Sequence, residues 1–320
     1  MMEDFFTLIS NTKLDMFSIA IAVLFGFAAI NTVSQLLIPI FTRGIKLSLR
    51  VAVIGLPRAG KTSLITVVFD AIMSGKLAKF ATVRGGQTVD RVTRYMTAMS
   101  KGINLGPTDD KDVFAYRYGV SQRRFGLIPL KYDVEIADFP GEYSKDLSEN
   151  LLDQQLPTGL YKKEFFSWVL QADRYIFVID AETFLKSEAS DRSAYVSMID
   201  VLFKNAVLHL KNELLDEKVY NRRALVVFTK CDTAFCVPLA GESEEANLVY
   251  RDHRMDNVLT DEEKLTDAQN QLSQMVDQFS VTLDFLSNNF KRMDVLLHSS
   301  YFDLPFSEGA NDRVVRFSSP

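Results

Sequence analysis

The sequence predicts an α/β fold in which a mostly parallel sheet carries helices on both faces. From residue 47 onward, short apolar runs alternate with segments whose apolar residues recur at helical spacing. This alternation is typical of strands joined by helical crossovers. A glycine-rich loop between the first apolar run and the first helical segment indicates the same fold class.

The elements follow from apolar runs and turn residues. Strands are predicted over residues 47–54, 111–120, 130–137, 175–179, 224–228 and 293–297. Apolar and charged residues alternate in 130–137, as expected of a half-exposed strand. Helices are predicted from the end of the glycine-rich loop to Gly75, around 90–99, and over 193–214 and 262–290. The polar stretch 241–256 is predicted to be a surface insertion.

Composition argues against several classes of protein. The 320 residues carry a net charge of −5, which gives no reason to expect nucleic acid as a partner. Two cysteines are too few for a disulfide framework or a zinc site, and the three histidines are scattered without metal-ligand spacing.

Residues 16–41 form an almost uninterrupted apolar segment without a charged residue. Its length suffices to span a bilayer with some tilt, and the cations that follow it predict a cytoplasmic main domain. The sequence therefore predicts a single-pass membrane protein. Its expected parts are a short tail (1–15), a transmembrane helix (16–41), a main domain (46–304) and a C-terminal tail (305–320). A cleaved signal peptide and a buried core helix are the alternatives, although the acidic N-terminus and the all-round apolar character favour neither.

The glycine-rich loop, residues 55–62, reads GLPRAGKT and matches the P-loop pattern between a strand and a helix. Its glycines let successive amides point at a phosphate, Lys61 places a charge beside the β- and γ-phosphates, and Thr62 offers its hydroxyl to Mg²⁺. The predicted fold is therefore a three-layer P-loop NTPase sandwich. The residues expected to contact phosphate are Gly55, Arg58, Ala59, Gly60, Lys61, Thr62 and Ser63.

A second motif, DFPG, follows the predicted strand 130–137. The carboxylate of Asp138 at a strand end can hold Mg²⁺, usually through water. Gly141 can bring its amide to the γ-phosphate because it has no side chain. The motif is weak alone, but its place after a strand and after the P-loop strengthens it.

A third motif, TKCD at residues 229–232, follows the strand 224–228. The carboxylate of Asp232 can accept hydrogen bonds from N1–H and the exocyclic amine of guanine, whereas adenine would leave it unpaired. The aliphatic stem of Lys230 can cover the base. Thr229, Lys230 and Asp232 are therefore predicted to select GTP and GDP.

This ordered series of motifs resembles the TRAFAC-class GTPases, the Ras-like GTPases in the broad sense. With the apolar segment 16–41 added, the plan is similar to that of the beta subunit of the signal-recognition-particle receptor, a membrane-anchored GTPase. The D-x-P-G-E form also resembles bacterial GTPases of conflict and stress systems. The resemblance implies a guanine-contacting turn after the last strand, for which Ser299 and Ser300 are the candidates.

The resemblance further implies a threonine that senses Mg²⁺ and the γ-phosphate. Among Thr82, Thr88, Thr93 and Thr97, we favour Thr88, expected in a loop between flexible glycines and the next strand. Glu142 stands where many family members have a water-orienting glutamine, so hydrolysis is expected to be slow. A cis arginine could come from four candidates, each also interpretable as an ordinary surface residue: Arg58, Arg84, Arg91 and Arg94.

The expected function is that of a membrane-bound GTPase that recruits a protein partner through loops ordered by the nucleotide. The main domain, residues 46–304, is the expected GTPase domain. The expected catalytic residues are Lys61, Thr88, Gly141 and Glu142. The expected metal ligands are Thr62, Thr88 and Asp138. The alternatives are a nucleotide-binding tethering module with negligible turnover and an ATPase. Lipid contact is expected through residues 16–41.

Overall fold

The computed structural model describes residues 45–75, 81–101, 103, 105, 113–124, 128–144, 160–214, 219–235, 262–298 and 315–317. The chain divides into two compact units. The smaller unit comprises Met1–Leu47 and Ser121–Tyr132, and its described part consists of residues from three strands. The larger unit comprises Ser48–Val120 and Asp133–Pro320 and contains the P-loop, the DFPG motif and the TKCD motif.

The strands form one eight-stranded sheet with the order β2-β3-β4-β1-β5-β6-β7-β8. Strands β1, β5, β6 and β7 are neighbours and parallel, whereas the edge strands β2 and β8 are antiparallel to β3 and β7. The carboxyl ends of the four parallel strands therefore meet at one edge. The bounds are β1 Ile45–Gly55, β2 Ala81–Val83, β3 Phe114–Arg124, β4 Ile128–Asp138, β5 Arg174–Asp180, β6 Arg223–Thr229, β7 Arg292–Leu297 and β8 Val315–Phe317.

Helices connect most of the strands. Their bounds are α1 Lys61–Met73, α2 Gly86–Ser100, α3 Leu160–Gln171, α4 Ala181–Lys186, α5 Ala189–Glu213, α6 Glu262–Gln278 and α7 Ser280–Asn289, with a 3-10 helix at Cys231–Phe235. Helix α1 buries an apolar face that includes Leu64 and Phe69, and it ends before Gly75, whose φ is 72°.

The main core lies between the central strands and helices α3, α5, α6 and α7. On one face of the sheet, the ring of Phe177 in β5 lies 4.8 Å from that of Phe203 in α5. Phe279, between α6 and α7, packs its ring 5.5 Å from Phe228 in β6. These contacts fix the strand ends from which the loops of the site emerge.

The helix predicted over 262–290 is two helices that break at Phe279. Phe279 is fully buried and falls at a position where a continuous helix would also place an apolar residue. The apolar spacing in the sequence therefore does not reveal the break. The short strands β2 and β8 and helices α3 and α4 were not predicted, and β8 lies within the segment interpreted as a C-terminal tail.

The predicted transmembrane segment 16–41 lies outside the described residues, as does the insertion 241–256. None of the helices within the described ranges combines the length and the apolar content that a membrane span requires.

Candidate functional site

The P-loop connects β1 to α1 and bends through two residues with positive φ, Arg58 at 62° and Gly60 at 77°. Glycine adopts this conformation freely, whereas Arg58 does so at some cost, which is a form of strain found at functional sites. The loop is held close to the sheet at Gly55, because a Cβ there would lie 2.8 Å from the carbonyl oxygen of Val178.

Lys61 is nearly buried at the start of α1, with 7% of its surface exposed. Its ammonium donates hydrogen bonds to the carbonyl oxygens of Gly55 (3.0 Å) and Leu56 (2.9 Å). Burial lowers the pKa of Lys61 to about 8, while the charges of Asp138 and Glu142 act in the opposite direction. The ammonium of Lys61 is therefore enclosed by the backbone of the P-loop.

The hydroxyl of Thr62 donates a hydrogen bond of 2.9 Å to Oδ2 of Asp138. Asp138 is the last residue of β4 and is 1% exposed. The second residue of α1 and the end of β4 thus bring a hydroxyl and a carboxylate oxygen together beside Lys61.

Gly141 of the DFPG motif lies directly against the P-loop. A Cβ at this position would lie 2.8 Å from the carbonyl carbon of Leu56 and closer still to the backbone of Pro57. Ser144 adds a further link, because the amide of Gly55 donates a hydrogen bond of 3.3 Å to its hydroxyl. Glu142, between these buried residues, is exposed.

The TKCD motif is joined to the P-loop from the other side. The hydroxyl of Thr229 lies 2.7 Å from the carbonyl oxygen of Ala59 and 3.1 Å from that of Ile179. Thr229 also packs against Gly60, where a Cβ would lie 3.4 Å from its side chain.

Two carboxylates that the sequence analysis did not assign to the site hold Lys230. Its ammonium lies 2.7 Å from Oδ2 of Asp180 and 3.2 Å from Oε2 of Glu182. Burial opposes the charged form of Lys230, but the two carboxylates outweigh this effect and raise its pKa. Lys230 also has a positive φ of 57°. Asp180 stands at the end of a buried strand, as Asp138 does, and this position is the signal that could have identified it.

Asp180 is a rigid partner for Lys230. Its Oδ1 caps helix α4 by accepting hydrogen bonds from the amides of Glu182 (3.0 Å) and Thr183 (3.3 Å). Its backbone amide donates to the hydroxyl of Tyr195 at 3.0 Å. In the register of the sheet, Asp180 pairs with Thr229, so both groups lie at the same edge.

Asp232 lies in the 3-10 helix Cys231–Phe235 and is 1% exposed. The amide of Cys231 donates a hydrogen bond of 3.1 Å to the carbonyl oxygen of His298, the residue after β7. The predicted guanine-contacting residues Ser299 and Ser300 follow His298 directly but lie outside the described residues.

The structure corrects the expected environment of Thr88. This residue is not in a loop but in the first turn of α2, where it is 3% exposed and its amide donates to the carbonyl oxygen of Gly85. The helix predicted at 90–99 begins four residues earlier, at Gly86, and takes Thr88 into its first turn. Gly85, with a φ of 86°, immediately precedes the helix.

The candidate arginines also differ from one another. Arg91 is buried, not a surface residue: its guanidinium lies over the ring of Phe114 at 4.7 Å and donates to the hydroxyl of Tyr95 at 2.9 Å. Arg84 forms an ion pair with Asp133. Arg58 and Arg94 are exposed.

The structure therefore brings three distant segments together at the carboxyl edge of the sheet: Thr62 bonds to Asp138, Gly141 packs against Leu56 and Pro57, and Thr229 bonds to Ala59. A P-loop followed by a helix, with carboxylates at the ends of the two strands that flank β1, defines the class of P-loop nucleotide-binding proteins.

The chain belongs to the Double-GTPase 2 family, whose model matches residues 49–281. The matched range contains all three motifs. The family and the fold together imply that the chain is a Ras-like P-loop GTPase domain that binds guanine nucleotide. No curated protein matches the chain.

Several solved structures are similar to the chain at low identity. The signal recognition particle receptor SRb-GTP/SRX complex from Chaetomium thermophilum is 15% identical over 84% of this chain and 98% of that chain, with a TM-score of 0.40. The Arl6 BBS3 small GTPase from Trypanosoma brucei, with a bound GppNp nucleotide analogue, is 12% identical over 79% and 88%, with a TM-score of 0.33. The G domain of the T. maritima FeoB iron transporter is 16% identical over 60% and 77%, with a TM-score of 0.26.

Proposed function

We propose that this protein binds GTP with Mg²⁺, hydrolyses it slowly, and uses the nucleotide state to recruit a protein partner to a membrane in which residues 16–41 anchor it. The single observation that carries the proposal is the contact between Thr62 and Asp138 next to the buried ammonium of Lys61. A cation, a hydroxyl and a carboxylate that lie side by side at the P-loop are the groups that a Mg²⁺–triphosphate complex requires.

The residues present suit Mg²⁺. Thr62 and Asp138 offer hard oxygen ligands, and Mg²⁺ commonly uses one or two protein oxygens together with phosphates and water. Within the described ranges no cluster of three His, Cys, Asp or Glu side chains could form an all-protein cage, so phosphate and water would complete the coordination. Bound there, the ion would neutralise charge that develops on the phosphates.

Lys61 binds and orients phosphate. Its ammonium now donates to two P-loop carbonyl oxygens, and an anionic phosphate is a stronger acceptor than either. The low pKa of Lys61 reflects burial, so a phosphate would stabilise the charged form and raise that pKa.

Guanine selectivity is assigned to Asp232. The carboxylate lies at the base of a turn that Thr229 links to the P-loop, and its burial makes an unmatched base costly. Lys230, held by Asp180 and Glu182, presents its aliphatic stem to the base.

Slow hydrolysis follows from Glu142. The side chain is exposed next to Gly141, and its charge already acts on Lys61. A carboxylate in this position repels the negative charge of a γ-phosphate, whereas a neutral glutamine would orient water without this repulsion.

The competing function is a tethering module in which nucleotide is a structural ligand. The burial of Thr88 in a helix favours this alternative, because the residue expected to sense Mg²⁺ is already fixed in regular structure. Turnover distinguishes the two functions.

The test is Mg²⁺-dependent GTP hydrolysis by the purified full-length chain, with Asp138→Ala as the control. We expect slow turnover that requires Mg²⁺ and is lost in Asp138→Ala. Persistent bound nucleotide without turnover would establish the tethering module. Competition between ATP and GTP for binding tests the base assignment, and stronger binding of ATP would refute it.

A further inference from the structure

The amino ends of three neighbouring parallel strands each begin with an arginine. Arg174 in β5 pairs in register with Arg223 in β6, which pairs with Arg292 in β7. Residues paired in register project from the same face of a sheet, with strands about 5 Å apart. We call these three residues the arginine row.

Such an arrangement costs stability. Like charges directly opposite on neighbouring strands repel. Burial lowers the pKa of Arg174, and the charge of Arg223 lowers it further, while Asp173 acts in the opposite direction. An anion that lies across the row would remove this repulsion.

The internal partners of the row leave most of its charge available. Arg292 pairs with Asp294 at 3.0 Å, and Arg174 donates to the backbone oxygen of Asp173 at 2.9 Å. Arg223 is exposed, and no hydrogen-bond or ion-pair partner of its guanidinium occurs among the described residues. Lys291, also exposed, lies next to Arg292 in the chain and adds a further cation.

The concentration of positive charge at this edge contrasts with the whole chain, whose net charge is −5. The row lies at the opposite end of the strands from the nucleotide site: Arg174 and Asp180 are the first and last residues of β5, about 20 Å apart. A partner on the row therefore leaves the nucleotide site accessible.

The chain itself indicates which partner the row meets. β1 runs in from this same end of the strands: it begins at Ile45, six residues before Val51, and Val51 pairs with Arg174. The apolar segment 16–41 precedes β1 by a few residues, and the chain between Phe41 and Arg50 extends at most about 30 Å. If residues 16–41 lie in a bilayer, the row is within reach of its surface.

We propose that the arginine row docks the larger unit onto the anionic surface of the membrane, against lipid headgroup phosphates and carboxylates. The inference rests on the membrane anchoring proposed above. Each Lys or Arg near an anionic leaflet adds about a five-fold preference for the surface. Because Asp294 already offsets the charge of Arg292, the row counts as two cations, which favour the docked state by roughly 25-fold. Docking would hold the nucleotide site away from the bilayer, towards a soluble partner.

Trp168, the single tryptophan of the chain, is a built-in reporter of docking. Its indole N–H donates to the carbonyl oxygen of Val51 at 2.9 Å, and the guanidinium of Arg50 lies 5.3 Å from its ring centroid. Because Val51 pairs with Arg174, energy transfer from Trp168 to dansyl-labelled headgroups measures how closely this edge approaches the lipid.

The experiment uses the full-length chain in vesicles of phosphatidylcholine alone or with phosphatidylserine. The row variant Arg174→Gln/Arg223→Gln/Arg292→Gln is compared with a control of equal charge change, Lys101→Gln/Lys163→Gln/Lys204→Gln. Unchanged GTP binding verifies that both variants fold, since neither set touches the residues assigned to the site: Lys204 lies in α5 and pairs with Asp200 of the same helix.

We expect energy transfer to increase with phosphatidylserine in the native chain and in the control variant, to decrease at high salt, and not to increase in the row variant. Equal transfer in both lipids, or an increase that persists in the row variant, would overturn the inference. Binding of the row to RNA without any response to phosphatidylserine would overturn it as well.

Flotation separates this inference from the proposed anchoring. A chain that floats with neutral vesicles, yet shows no lipid-dependent transfer, retains its anchor and refutes docking. A chain that does not float with neutral vesicles refutes the anchor; docking is then supported only if the native chain floats with phosphatidylserine vesicles and the row variant does not.

Discussion

The hydroxyl of Thr229 lies 2.7 Å from the carbonyl oxygen of Ala59, across a sequence separation of 170 residues. This contact joins the loop that would hold phosphate to the turn that would hold the base. The two halves of a nucleotide site are thus fixed relative to each other by protein atoms.

Thr229→Val tests this link. Valine has nearly the same shape, but it leaves a buried carbonyl without its donor, at an expected cost of about 1–3 kcal/mol in unfolding free energy and with weaker GTP binding. Thr233→Val is the matched control, because the buried Thr233 hydroxyl has no hydrogen-bond partner among the described residues. Denaturant unfolding and nucleotide titration measure both effects, and equal behaviour of the two variants would contradict the prediction.

Gly141→Ala should be strongly unfavourable although it adds one methyl group. The new Cβ would collide with the backbone of Leu56 and Pro57, which cannot move without displacing the P-loop. We expect a loss of about 1–3 kcal/mol in stability together with impaired GTP binding. The neighbouring exposed residue provides the control, since Glu142→Ala should change stability by less than about 0.5 kcal/mol. A stable, GTP-binding Gly141→Ala variant would show that the contact is loose.

The buried ammonium of Lys61 predicts a pH dependence of stability in the absence of nucleotide. Between pH about 8 and 10.5, Lys61 is neutral in the folded chain but protonated in the unfolded chain. The unfolded state then binds more protons, so stability rises with pH across this window. Thermal unfolding at several pH values should show a rise that is smaller in Lys61→Met, and identical profiles would refute the assigned burial cost.

Glu142→Gln should accelerate GTP hydrolysis. Removing a negative charge beside the γ-phosphate position while keeping an amide that can orient water should lower the barrier by about 1–2 kcal/mol, or roughly tenfold in rate. Single-turnover phosphate release measures the change. A slower variant would show that the carboxylate itself positions the water.

Asp180→Asn should weaken GTP binding by roughly 3- to 10-fold, because the amide can still cap α4 but no longer pairs with the charge of Lys230. In a Lys230→Met background the same substitution should have no further effect, because the pair is already absent. Equal losses in both backgrounds would assign Asp180 a role in folding alone.

The strand series and the three motifs were readable from the sequence because each is local: an apolar run followed within a few residues by glycine, carboxylate or hydroxyl groups. The pairing of Lys230 with Asp180 was not, since the two residues are 50 positions apart and neither has a local signal for the other. The break at Phe279 was hidden for a different reason, because a buried ring keeps the helical periodicity while the backbone departs from it.

The environment of Thr88 was mispredicted because Gly85 and Gly86 suggested a flexible loop. Only Gly85 has a positive φ, and Gly86 already belongs to α2. A glycine pair can thus mark the start of a helix as well as a turn, and the sequence alone does not distinguish the two.

Because Thr88 lies in the first turn of α2, any change in its backbone conformation requires that turn to unwind. The amides of Thr88 and Val89 both donate to the carbonyl oxygen of Gly85, so unwinding of this turn would break both hydrogen bonds. Activation of this protein through Thr88 would then be a helix–coil transition at one helix end, visible as faster amide hydrogen exchange at two adjacent positions.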